Sequence, residues 1–206
     1  MSPKYKLTYF NGKGIGESLR WLLAYSGEEF EDIRFTIEEW PSIKPTIPYG
    51  KLPVLDIDGK KASQSVALAR YLGKQAGLGG KDLWEDLQID IIVDTIGDFR
   101  NELKSLKLRQ DKDEKVKAEK IEKFAKEIIP FYMNKLDAIV KENHGYVANG
   151  KLSWGDIYLV SMVDFVSTFI ARDLLTPYSN LAALQKKITS IPKIKAWIDK
   201  RPDSEF

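Results

Sequence analysis

Two hydrophobic periodicities alternate along the first third of the chain, and one takes over afterwards. Tyr5 to Phe10 alternates apolar and polar residues, and Asn11-Gly12-Lys13-Gly14 breaks it, which predicts a strand ending near Tyr9. Over Glu17 to Tyr25, Leu19, Trp21, Leu22 and Leu23 fit a buried helix stopped by Ser26-Gly27. Phe30 to Ile37 alternates again. Strand, helix and strand in that order predict a βαβ unit with parallel strands and a right-handed crossover.

Pro41, Pro45 and Pro48 then force an irregular excursion between Trp40 and Gly50, because each fixes φ and removes an amide donor. Val54 to Ile57 and Lys60 to Ser63 flank Asp58-Gly59, a strong two-residue hairpin turn. Gln64-Ser65 opens a helix reaching about Gln75, with Ser65 expected as its N-cap. Beyond the glycine-rich stretch 76–81, strand signals vanish and helical spacing persists. Ile89, Ile92, Val93, Ile96, Phe99 and Leu103 form one apolar stripe, while Asp90, Asp94 and Asp98 recur every four residues on another face. The charged stretch 104–123 reads as a solvated helix-loop-helix surface, and amphipathic segments follow over 121–142, 154–170, 181–188 and 194–200. Ser153-Trp154-Gly155-Asp156 has the order of a capping box ahead of Ile157. The expected fold class is α/β plus all-α: a βαβ-ββα domain over 1–76, a linker over 77–83 and an all-helical domain over 84–206.

Composition narrows the chemistry. With 32 Lys plus Arg against 30 Asp plus Glu, the net charge is only +2, and no basic stripe interleaves with aromatics, so nucleic acid is a poor partner. The absence of cysteine excludes disulfides, thiolate metal sites and a protein thiol nucleophile, so any sulfur chemistry must use a ligand's sulfur. His144, the single histidine, sits in a turn-like Asn143-His144-Gly145 with no second histidine to share a metal. No metal is expected. Nor is a secretory leader or a membrane span, which leaves a cytoplasmic location as the expectation.

The segments Leu7-Thr8-Tyr9-Phe10, Trp40-Pro41, Gly50 through Asp56, Asp58-Gly59, Gln64-Ser65, Asp94 through Phe99 and Ser153 through Asp156 resemble, in order and spacing, motifs of the cytosolic glutathione transferases, sigma class. That family includes invertebrate detoxification enzymes, haematopoietic prostaglandin D synthase and lens S-crystallins. The resemblance implies a thioredoxin-like N-terminal domain, glutathione as co-substrate, a homodimer, and Tyr9 as the catalytic residue that holds the glutathione sulfur as thiolate. The chemistry suits a tyrosine. A free thiol ionises near pH ~8.5, and one charge-assisted hydrogen bond of roughly 1.5–3 kcal/mol lowers that by ~1–2 units. The phenol, with a pKa near ~10, stays protonated as donor.

By the same resemblance, Gln64 and Ser65 receive the γ-glutamyl carboxylate, a role a helix N-terminus supports and one compatible with capping. Lys51, Leu52 and a cis Pro53 present backbone to the cysteinyl part, Trp40 and Lys44 meet the glycine end, and Asp98 of the partner subunit approaches the glutathione amino group. Phe10, Gly12, Ile15 and Leu103 are the implied electrophile pocket. Where several sigma members carry an arginine, this chain has Ile15, so a guanidinium contact to the tyrosine is expected to be lost. Gly97 replaces the middle aspartate of the prostaglandin synthase's metal site, and no tryptophan lies near Leu103 to Ser105, which disfavours prostaglandin isomerisation. The expected function is conjugation of glutathione to electrophiles, with peroxide reduction possible. The alternatives are a prostaglandin D synthase-type isomerase and a non-enzymatic crystallin-like or ligand-carrier protein.

Overall fold

A computed structural model describes residues 4–204, so the first three residues and the last two of the expected domains lie outside the described residues. Four strands, β1 (Tyr5–Phe10), β2 (Phe30–Phe35), β3 (Val54–Ile57) and β4 (Lys60–Ser63), form one sheet in the order β2-β1-β3-β4. β1 runs parallel to β2 and antiparallel to β3, and the β3–β4 hairpin closes on Asp58 and Gly59, both at positive φ as the turn requires. Strand β1 alternates as its sequence does, with Tyr5, Leu7 and Tyr9 turned to the core. This is the thioredoxin-like half.

Helix α1 (Glu17–Ser26) is packed by α3 (Ser65–Gln75), α7 (Trp154–Phe169) and α9 (Pro192–Lys200), and its polar Glu17, Ser18 and Arg20 are buried with its apolar residues. Between β2 and β3 the proline-rich excursion holds only α2 (Trp40–Ile43) and two 3₁₀ turns. The helical half adds α4 (Leu83–Ser105), α5 (Glu114–Lys123), α6 (Ile129–Glu142) and α8 (Ser179–Thr189). Helix α7 is apolar nearly all round and accordingly central. Its start is fixed by Asp156, whose carboxylate accepts from the Ser153 amide and hydroxyl, each at 2.7 Å, and from the Val147 amide at 2.8 Å. The core is continuous from Tyr5 and Leu7 in the sheet to Ile194 and Trp197 in α9.

Two local expectations need correction. Ser65 is the first helical residue and not the N-cap. Gln64, at φ 78 and ψ 99, occupies the cap position, and no side chain closes it. The unbroken amphipathic segment expected over 121–142 is divided by a π turn (Phe124–Ile128) ahead of α6. Pro130 in the first turn of α6 lacks an amide donor and crowds the preceding turn, which widens it.

Candidate active site

The site is built on one row of the sheet. Thr8 pairs with Val54, and Val54 pairs with Ser63, so the residues one step beyond, Tyr9, Pro53 and Gln64, emerge together at the same end. Tyr9 is only 8% exposed. Its phenolic oxygen accepts from the Ile15 amide at 3.3 Å, which leaves the phenolic proton as a donor to a ligand. Burial pushes this phenol above its ordinary pKa, while the Ile15 amide and the charges of Arg20, Arg100 and Arg109 pull the other way. The net upward direction keeps Tyr9 protonated at neutral pH.

Glycines shape the loop that embraces the ring. A Cβ on Gly14, whose φ is +44, would lie 2.5 Å from the Tyr9 hydroxyl, and one on Gly16 would lie 2.5 Å from its ring. Behind the ring stands Arg20, its guanidinium carbon 5.7 Å from the ring centroid. The expectation that Ile15 leaves the tyrosine without a guanidinium is therefore corrected: Arg20 approaches from α1 instead. Arg20 donates to the Gly12 carbonyl at 2.6 Å, the Phe10 carbonyl at 3.4 Å, Asp32 at 3.0 Å and Glu17 at 3.1 Å. It fixes the loop after β1 by its own exit carbonyls.

Among the other expected glutathione contacts, Trp40 reaches Tyr9 through Phe10. The Trp40 ring meets Phe10 edge-on at 5.3 Å, and Phe10 meets Tyr9 at 5.6 Å. The Leu52–Pro53 peptide is cis. Lys44 and Lys51 are exposed, Leu52 half-buried and Pro53 buried. Ser65, freed of capping, begins α3, where unpaired amides and the helix dipole attract an anion. Asp98 is exposed on α4.

A cavity of about 480 Å³ opens beside Tyr9 between β1, the end of α4 and α7. Phe10, Ile15, Leu103, Leu108, Phe165 and Phe169 give it apolar walls. Gly12, expected there, is absent from the lining. Its carbonyl turns inward to Arg20, and Gly14 takes its place on the wall. Arg100, Lys104, Lys107 and Arg109 also line the cavity. Sequence reasoning missed them, as it missed Glu17 and Arg20. The spacing of Glu17 and Arg20, three apart on a helix otherwise rich in leucine, was the available signal. No group of residues suited to a metal ion occurs among those described.

Comparison with known proteins identifies the family. Residues 5–74 match the glutathione S-transferase N-terminal domain, and residues 97–201 match the C-terminal domain. The glutathione S-transferase S1 of Drosophila melanogaster is 47% identical over 98% of this chain and 80% of its own length. The haematopoietic prostaglandin D synthase of Rattus norvegicus is 37% identical over 99% of this chain and all of its own. Among solved structures, the prostaglandin synthase D of Nilaparvata lugens superposes with a TM-score of 0.91 at 50% identity, covering 98% of this chain and 100% of that one. With both domain models matched and relatives of this identity along nearly its whole length, the chain belongs to the glutathione S-transferase family.

Proposed function

We propose that this glutathione transferase is of the sigma class and uses Tyr9 to hold the glutathione sulfur as a thiolate, which then attacks small electrophiles. The reading rests on one observation above all: the Tyr9 oxygen already accepts a hydrogen bond from the Ile15 amide, so its own proton is available to a sulfur. In this reading Ser65 and Gln64 take the γ-glutamyl carboxylate, backbone at Lys51, Leu52 and Pro53 takes the cysteinyl part, and Trp40 and Lys44 take the glycine end. Phe10, Ile15 and Leu103 hold the electrophile. Reactive aldehydes and other lipid-peroxidation products, with peroxides as a reductive variant, make this a detoxifying role in the cytoplasm. The chain divides in function as 1–76 for glutathione and 84–206 for part of the electrophile pocket, joined by 77–83.

A homodimer completes the proposal. Tyr49 is 84% exposed at φ 55, and Leu83, Trp84, Leu87 and Ile91 lie exposed at one end of α4. Such apolar exposure is characteristic of a covered surface. Dimerisation would bring Asp98 of the partner subunit to the amino group of glutathione.

The test is a conjugation assay on a panel of electrophiles, comparing the protein with Tyr9→Phe across pH. A charge-assisted bond of roughly 1.5–3 kcal/mol implies a ~10- to 100-fold loss of turnover with glutathione affinity kept. Equal turnover in the two proteins removes Tyr9 from the mechanism. A second reading, glutathione-dependent isomerisation of a prostaglandin, is favoured by the 50% identity to a protein named prostaglandin synthase D. Gly97 and the missing tryptophan over 103–105 argue against it. Analysis of products from a prostaglandin endoperoxide separates the two.

A further inference from the structure

The cavity beside Tyr9 is asymmetric in charge. Its walls are apolar, yet the end of α4 and the segment after it bring Arg100, Lys104, Lys107 and Arg109 to its lining, and no acidic residue shares that lining. Among the described residues, Arg100, Lys104 and Lys107 take part in no ion pair, and Arg109 lies with its guanidinium carbon 5.8 Å from the Phe169 ring centroid on the cavity wall. Lys107 holds φ 51 just past the end of α4, a conformation for which glycine is the ordinary choice. A lysine there gives up backbone ease and places a cation at the cavity. Cations gathered at the edge of an apolar cavity find no partner in a neutral ligand, whereas an anionic group supplies one.

We infer that this cavity selects amphipathic electrophiles bearing an anionic head, with the apolar walls holding the chain, Tyr9 at the reacting end, and Lys104 and Lys107 at the head. The inference rests on the transferase reading and narrows its electrophile to carboxylate-bearing compounds such as ω-carboxy enals. In that reaction the thiolate sulfur forms a bond to the β carbon, the carbon–carbon π pair shifts to join the α carbon to the carbonyl carbon, and the carbonyl π pair moves onto oxygen. The resulting enolate takes a proton at the α carbon from water, replacing the one the thiol lost. Nothing is oxidised or reduced overall.

The experiment compares kcat/KM for a medium-chain ω-carboxy enal and its methyl ester, in the protein and in the Lys104→Gln, Lys107→Gln double variant, both side chains being exposed. Two partly solvated cations acting on one carboxylate give roughly tenfold preference for the acid. That preference should fall toward unity in the double variant and at raised ionic strength. Equal use of acid and ester, or a preference that survives the double substitution, overturns the inference. If neither compound is conjugated, the transferase reading is at fault, and calorimetric titration with dodecanoate and methyl dodecanoate decides the pocket by itself. Tighter binding of the acid, lost in the double variant, supports the anion site, and equal binding refutes it.

Discussion

Trp197 in α9 donates its indole N–H to Oε1 of Glu17 in α1 at 2.9 Å, across 180 positions of sequence. The same oxygen accepts from Trp21 at 2.9 Å and Arg201 at 2.8 Å, while Oε2 accepts from Arg20 at 3.1 Å. Arg20 in turn holds the carbonyls of Phe10 and Gly12. One buried carboxylate thus ties the last helix to the loop that cradles Tyr9. A second strand of this network runs through Asp164 of α7, which pairs with Arg201 at 2.9 Å and with Lys13 at 3.1 Å.

Glu17→Gln removes the charge shared by buried Arg20 and half-buried Arg201, although Asp32 and Asp164 still partner them. A loss of roughly 2–4 kcal/mol is expected in urea unfolding. Burial pushes the Glu17 carboxyl up, but Arg20, Arg201 and Trp197 outweigh it and hold the group below its ordinary 4.5. A depressed carboxyl contributes stability that is present above the unfolded value and lost as pH falls through the lower folded one. The gap between the protein and Glu17→Gln should therefore narrow as pH drops below 4.5, and a gap that stays constant in acid would contradict the ion pairing.

Gly14→Ala meets two obstacles, a φ of +44 and a Cβ 2.5 Å from the Tyr9 hydroxyl. The ring must move or the loop must open. Backbone strain of about 1–2 kcal/mol and a fall in kcat of at least ~10-fold are expected. Full activity in this variant would show that the phenol is not held where the loop puts it.

Asp156→Ala deletes three hydrogen bonds to a buried helix start, for an expected loss of roughly 2–4 kcal/mol by thermal or urea unfolding. Burial pushes this carboxyl up to about 6 despite its donors. Its folded value lies above the unfolded 3.8, so the folded chain binds the extra proton between the two. The group's contribution to stability is accordingly largest at the acid end and declines as pH rises to about 6, opposite in sign to Glu17. Stability profiles of the protein and Asp156→Ala should converge or cross with that slope.

Tyr49→Ala tests the proposed partner surface. With 84% of its surface exposed, the residue contributes little to the monomer, so the substitution should leave monomer stability within about 0.5 kcal/mol. Sedimentation should shift from dimer toward monomer. A wild-type protein that sediments as a monomer would dismiss the interface, and with it the contribution of Asp98 of the partner subunit.

Much of the fold was legible residue by residue. The alternation of Tyr5 to Phe10, the Asp58-Gly59 pair and the Ser153–Asp156 box each became the element their local chemistry called for. The errors were local too: Ser65 was taken for a cap because its hydroxyl suits one, but the positive φ of Gln64 moved the cap position back a residue. At the site, Tyr9, Pro53 and Gln64 were nameable only by resemblance, and nothing in their spacing said that one sheet row would align them. The turn of the Gly12 carbonyl toward Arg20 was equally illegible, because a loop's direction depends on which carbonyl an arginine claims.

The amino-acid sequence by itself determined the strands, helices and turns, the lack of a protein thiol, and the family. The elements follow from periodicity and turn preference, which act over a few residues, the missing thiol follows from composition, and the family from motifs recognised by resemblance. Tertiary structure alone decided that Arg20 stands behind Tyr9, that Glu17 gathers Trp21, Trp197 and Arg201, and that four cations share a cavity with the phenol. Charges far apart in sequence meet only where packing forces them together, and burial then makes their pairing obligatory.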